Sequence, residues 1–258
     1  KPFTIIIGNA MNEVLLHVKE LTVSFDGFVA LNLSEFFLRE NELRVVIGPN
    51  GAGKTTFLDV LCGKTKPDSG RVRFQDLEIS RLTEDAIVDI GIGRKFQTPS
   101  VFTSLSVFEN LMLAMKTDRS VMASLLAKLT NENRNHIEQV AEQTGLHEYL
   151  QKEAGALSHG QKQWLEIAMV ILQDPKLFLV DEPAAGMTDE ETYKMCELLE
   201  RLSEDRAIIV IEHDMEFVRQ IARTVTVFHE GQMLVEGPME DVQNDPRVIE
   251  CYLGSAQH

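Results

Sequence analysis

The pattern of apolar and polar positions changes character twice along the chain. In the first part it has strand character. Val14 to Phe25 and Val29 to Leu38 are separated by Asp26-Gly27, which predicts an antiparallel hairpin. Leu43–Ile47 is a short β-branched run, followed by a glycine-rich loop and an apolar-periodic segment, Phe57 to Leu61. After the turn signal Pro67-Asp68-Ser69-Gly70, Arg71–Ile79 predicts one further strand. Residues from roughly 98 to 172 lack strand alternation and carry helix starts. Ser106-Val107-Phe108-Glu109 is a capping box, and Glu138 to Gln143 is helical in pattern and stops at Gly145. Ser158 and Gln161 form a second box, opening a helix with Trp164, Leu165, Ala168 and Ile171 on one face. The last third alternates again. Leu177–Val180 and Ile208–Ile211 are continuous apolar runs that suit strands buried on both faces. A helix from about Asp189 to Leu202, started by Thr188 with Glu191, lies between them. Val225–Phe228 and Gln232–Val235 flank Glu230-Gly231 as a terminal hairpin. The expectation is an α/β core interrupted by a helical insertion, without internal repeats or low-complexity linkers.

Composition narrows the function classes. The 258 residues are 44% hydrophobic and 25% charged, ordinary for a globular chain with a sizeable core. A formal net charge of −15 argues against a protein whose main work is gripping nucleic acid, because phosphate neutralisation needs clustered Lys and Arg. No apolar run approaches the roughly 18 residues that span a bilayer, and Ile5–Ile7 is too short for a signal-peptide core. Cys62, Cys196 and Cys251 are scattered and odd in number, so they read as buried or half-buried free thiols, which fits a reducing compartment. Residues 1–10 read as an N-terminal extension whose origin the sequence does not give.

Candidate chemistry concentrates at strand ends. Residues 48–56 read GPNGAGKTT and fit G-x-x-x-x-G-K-[ST], with Gly48, Gly53, Lys54 and Thr55 at the required places. Glycines let backbone N–H groups turn inward around phosphate oxygens. Lys54 is expected to reach the β- and γ-phosphates, and the Thr55 hydroxyl to hold Mg²⁺. The helix that begins there points its positive end at the anion. Asp181 and Glu182 follow Leu177–Val180, where ligands bind in open α/β sheets. Asp181 is placed to bind Mg²⁺, and Glu182 to orient or deprotonate a water. His213, after Ile208–Ile211 and Glu212, is expected to emerge near the γ-phosphate. LSHGQ at 157–161 is either an anion site at a helix tip or a plain helix cap.

Taken in order, GPNGAGKTT, Gln97 in RKFQ, LSHGQ, LFLVDEP and His213 in IEHDM resemble the motifs of the ATP-binding subunits of ABC transporters, from about residue 14 to the end. The resemblance implies an α/β, RecA-like P-loop NTPase core with an antiparallel β-subdomain and a helical subdomain at about 98–172, together the nucleotide-binding domain at 11–258. It implies an ATPase using ATP and Mg²⁺, and a head-to-tail dimer in which nucleotide lies between the phosphate loop of one subunit and the LSHGQ helix of the other. Carried over residue by residue, Phe25 (or the nearby Phe28) stacks on adenine, and Asn50, Gly51 and Thr56 join the phosphate loop. Gln97 senses Mg²⁺ and the attacking water. Ser158, Gly160 and Gln161 hold the partner's γ-phosphate. Two departures stand out. His159 replaces the usual Gly, and Ala185-Gly186-Met187-Thr188 replaces Ser-Ala-Leu-Asp.

EPAAGMTDEET and RVIECYLG resemble the branched-chain amino acid importer class, and within it GIGRKFQTPSVF and LSHGQKQWLEIAM resemble the urea importer's ATPase subunit. The resemblance implies a subunit peripheral to the cytoplasmic face of the inner membrane. Its partners would be membrane permease subunits, a second related ATPase and, indirectly, a periplasmic solute-binding protein, with urea as solute and branched-chain amino acids as the alternative. A soluble ABC protein outside transport and a nucleotide switch without turnover are the rival classes. Glu182 argues against the switch.

Overall fold

The computed structural model describes residues 14–95, 100–115 and 130–254. Its central sheet follows from the continuous apolar runs. β3 (Leu43–Ile47), β7 (Leu177–Asp181) and β8 (Ala207–Ile211) are buried at every position. With β6 (Ile92–Lys95), β9 (Thr224–His229) and β10 (Gln232–Gly237) they form a six-stranded sheet in the order β10-β9-β3-β8-β7-β6. Each pairing from β9 to β6 is parallel, and β10 closes the edge antiparallel. Parallel sheets are covered on both faces, and alternate residues serve two cores. Val45, Phe178, Val180, Ile208 and Val210 face one, while Val46, Leu177, Leu179, Ile209 and Ile211 face the other.

The second face is covered by α1 (Lys54–Leu61) and by an antiparallel sheet. That sheet has the order β2-β1-β4-β5, from β1 (Val14–Phe25), β2 (Phe28–Arg39), β4 (Ser69–Phe74) and β5 (Leu77–Glu78). The β1–β2 hairpin turns on Asp26 and Gly27, both with positive φ (49° and 85°), the geometry that matches strand twist in a two-residue loop. The single strand expected over Arg71–Ile79 is instead two strands folded on each other. Gln75 takes φ 53°, and Phe74 pairs with Leu77. Phe57 on α1 meets Phe36 and Phe228 edge-on, with ring centroids 4.9 and 5.4 Å away, and so ties the two sheets together.

Between β6 and β7 the described chain is helical. α3 (Val107–Ala114) has the expected Ser106–Glu109 capping box. α4 (Asn131–Gln143) begins well before the expected Glu138, capped by Thr130. Its polar first turns, Asn131 to His136, hide its period. α5 (His159–Leu172) and α6 (Asp189–Leu202) start at the expected boxes. α2 (Glu84–Asp89), α7 (Met215–Ile221), α8 (Met239–Gln243) and α9 (Pro246–Gly254) complete the chain. β6, α2, α7 and α8 were too short or too polar to show a period. The three cysteines are free and buried, as expected, and burial pushes the Cys196 thiol up to about 12. Among the described residues no helix is long and apolar enough to cross a membrane.

Phe57→Ala removes the shared aromatic contact between the sheets. It is expected to cost about 3–5 kcal/mol, read as a lower denaturant midpoint. An unchanged midpoint would mean that the sheets do not depend on this contact.

Candidate active site

Because β3, β8, β7 and β6 are parallel neighbours, their C-terminal ends open on one edge of the sheet. Val46 and Asp181 both pair with Ile211, and Val180 pairs with Lys95, so the segments that follow emerge at one level. The phosphate loop, His213, and the Asp181-Glu182 pair therefore stand side by side. Gln97, two residues beyond Lys95, lies outside the described residues, as do residues 1–10.

The loop leaves β3 at Gly48. A Cβ there would lie 2.1 Å from Phe228 O, so only glycine fits under β9. Gly51 and Gly53 take φ 79° and 93°, the left-handed region. Asn50, Gly51 and Thr55 are exposed and Thr56 half-buried. Gly53 caps α1 without a side-chain acceptor, and the first turn holds no acidic residue. The first N–H groups of the helix thus keep their capacity to bind an anion. Lys54 Nζ donates to Gly48 O (2.6 Å) and Pro49 O (3.0 Å), curling back over the loop. Burial lowers its pKa, opposed by Glu182 and Asp181.

Asp181 is buried, and desolvation raises its pKa. The Arg94 guanidinium opposes that shift. It donates to Asp181 Oδ2 (3.3 Å) from Nη2 and to Asp59 Oδ1 on α1 (2.5 Å) from Nη1. Lys95, wholly buried, donates to Asp181 O at 3.2 Å. Desolvation lowers its pKa against Glu166, Asp181, Glu212 and Glu182. Glu182 takes φ 47°, with its N–H bonded to Ile211 O at 2.9 Å. A carboxyl oxygen of Glu182 sits 3.5 Å from His213 Nδ1, and His213 is largely exposed. The buried Glu212 accepts from Ala184 N (3.0 Å), His213 N (2.9 Å) and Asp214 N (3.3 Å), tying together the loops after β7 and β8.

The expected residues thus fall into separate groups. Gly48 to Thr56, Asp181, Glu182 and His213 share the sheet edge. Phe25 is exposed at the hairpin tip, paired in register with the exposed Phe28. Ser158 is exposed and caps α5, accepting from Gln161 N at 3.2 Å, while Gln161 returns an acceptor to Ser158 N at 3.0 Å. Gly160 is buried beside Glu191, which a Cβ would approach to 3.2 Å. Arg94, Lys95 and Glu212 were missed. Their sequence signal is a charged residue inside or just after a strand, visible only once the strand is known to be buried.

The oxygen chemistry fits Mg²⁺. Thr55 and Asp181 offer hard ligands from opposite sides of the edge. Among the described residues no group of three or more His, Cys, Asp or Glu could hold a metal, and a cation on Thr55 and Asp181 would need phosphate oxygens or water to complete its shell.

The ABC transporter family model matches residues 31–185, and a branched-chain amino acid ATP-binding cassette transporter model matches 232–258. The high-affinity branched-chain amino acid transport ATP-binding protein LivG of Salmonella typhimurium is 35% identical over 255 residues, 95% of this chain and 100% of LivG. BraF of Pseudomonas aeruginosa, described in the same terms, is 34% identical over 257 residues, covering 95% and 100%. A nucleotide-free ATP-binding cassette from an ABC transporter superposes with a TM-score of 0.82 at 27% identity, covering 93% of this chain and 99% of that one.

Arg94→Met removes the cation that bridges Asp59 and Asp181. It is expected to cost about 3–5 kcal/mol of stability, as for other broken buried pairs. Urea denaturation checks this, and a loss under about 1 kcal/mol would show that the pair is solvent-screened.

Proposed function

This chain belongs to the family of ABC transporter ATP-binding subunits, and from that premise we propose that it hydrolyses ATP to drive import of branched-chain amino acids through a separate permease. The carrying observation is the level placement of the phosphate loop beside Asp181-Glu182 on parallel strands. The backbone of Gly48, Asn50, Gly51 and Gly53 and the start of α1 bind the phosphates. Thr56 joins them, and Lys54 turns from its carbonyls to the β- and γ-phosphates. Thr55 and Asp181 would hold Mg²⁺, and the ion would supply neutralisation of charge on the phosphate oxygens. Phe25 stacks on adenine.

Glu182 orients the attacking water and accepts its proton. The water oxygen bonds to the γ-phosphorus, the bond to the bridging oxygen breaks, and ADP leaves with that electron pair. His213, 3.5 Å from Glu182, steadies that carboxylate and the γ-phosphate, and Gln97 would sense Mg²⁺ and the attacking water. Ser158, Gly160 and Gln161 serve nucleotide held by a second, related ATPase, head to tail. The subunit works peripherally at the cytoplasmic face of the inner membrane, where a solute-binding protein delivers cargo from the other side. No part of the mechanism calls on nucleic acid.

Urea, the solute first expected, gives way to branched-chain amino acids because LivG and BraF bear that description. The segments GIGRKFQTPSVF and LSHGQKQWLEIAM keep urea as the second reading.

Glu182→Gln is expected to keep ATP affinity while turnover falls about 10²-fold or more. Near-normal hydrolysis by the purified mutant with its partners would remove Glu182 from the chemistry. Disrupting the gene is expected to abolish uptake of labelled leucine at low external concentration. Intact leucine uptake with lost urea uptake would reverse the solute order and leave the ATPase standing.

A further inference from the structure

The two segments that depart from the family's usual pattern touch each other. His159 lies at the tip of α5, and Ala185-Gly186-Met187-Thr188 follows Glu182. Gln163, one turn into α5 and only 1% exposed, donates from Nε2 to Ala185 O at 2.7 Å. The same nitrogen lies 3.1 Å from His159 Nε2, which accepts when the ring proton sits on Nδ1. A Cβ on Gly186 would lie 3.4 Å from the His159 ring. The helix tip therefore rests on the loop through the Gln163 hydrogen bond, with the His159 ring close enough to Gly186 that an added Cβ would touch it. Among the described residues the buried Gln163 Oε1 has no hydrogen-bond partner. Among these residues the amide is anchored through its nitrogen, and a buried amide so held calls for a reason beyond filling space.

We propose that Gln163, oriented by His159, is a positioning residue that locks the tip of α5 to the loop after Glu182. One subunit serves two nucleotides, its own through Glu182 and its partner's through Ser158 and Gly160. The lock makes these two contributions move together, so that a shift of the helix tip on the partner's nucleotide is carried to the loop behind the subunit's own Glu182. This inference rests on the proposed ATPase reading. The usual glycine at position 159 has no side chain with which to orient Gln163, so the substitution at 159 and the altered loop form one adaptation.

Gln163→Met keeps the length and apolar bulk but removes the donor. In the full chain, hydrogen exchange of amides in 183–188 is expected to rise about tenfold, the worth of one hydrogen bond, with β3 and α1 unchanged. In the complete transporter, kcat is expected to fall about tenfold while KM for ATP stays within about twofold, since no contact to the subunit's own nucleotide is lost. His159→Gly is expected to act in the same direction, and the double variant to be about as impaired as Gln163→Met alone, the non-additivity of a shared contact. Unchanged exchange in 183–188 would overturn the lock. Faster exchange with unchanged kcat would overturn the coupling, and so would parallel losses in kcat, KM and thermal stability, which mark a purely structural role. A wild-type complex that turns over no ATP would overturn the ATPase reading and the coupling with it, while the exchange measurement still decides whether the lock exists.

Discussion

Five parallel strands buried on both faces set the terms for everything else in this protein. Such strands have no wet side on which to carry polar groups. Most charged and hydroxyl groups needed for chemistry are therefore displaced to the strand ends, and parallel order puts those ends on one edge. The phosphate loop leaves β3, Glu212 and His213 leave β8, and Asp181 and Glu182 close β7. None of these residues is near another segment's in sequence. Their proximity comes from register, with Ile211 opposite both Val46 and Asp181.

The same burial creates an electrostatic problem that the edge resolves locally. Asp181 is desolvated and holds its proton more tightly than a free carboxyl, although Arg94 and Lys95 reduce that shift. Arg94 also engages Asp59 on α1, so the guanidinium joins the phosphate-loop helix to the strand that ends in the carboxylates. Lys54 is desolvated in turn, and the acidic pair raises its pKa against that cost. Glu212 takes three backbone N–H groups and so fixes the turns that carry Glu182 and His213. Arg94, Lys95 and Glu212 each reach a group on another segment, which ties the strand ends together.

Legibility in the sequence divides along physical lines. The strands β3, β7 and β8 were read because full burial leaves unbroken apolar runs. The capping boxes at Ser106, Ser158 and Thr188 were read because the two bonds of each box close within four residues. The phosphate loop was read because its glycines answer steric demands, as at Gly48 under Phe228. The strand β6 was not read, since Arg94 and Lys95 look like a solvated charge pair until their partners 87 and 86 residues away are known. Arg71–Ile79 was read as one strand because the left-handed turn at Gln75 lacks the glycine that signals such turns. The role of Glu212 was hidden for the same reason as that of Arg94. A buried charge declares itself only through tertiary contacts.

The solute stands apart from all of this. A phosphate loop is constrained by phosphate, and a carboxylate pair by water and metal, so these segments carry their chemistry on their face. The cargo crosses the membrane in another chain and touches no atom described above. His159 and residues 185–188 come together where the tip of α5 meets the loop behind Glu182. The solute is accordingly assigned from the branched-chain amino acid description that LivG and BraF bear, and the ATPase from the chemistry of the edge.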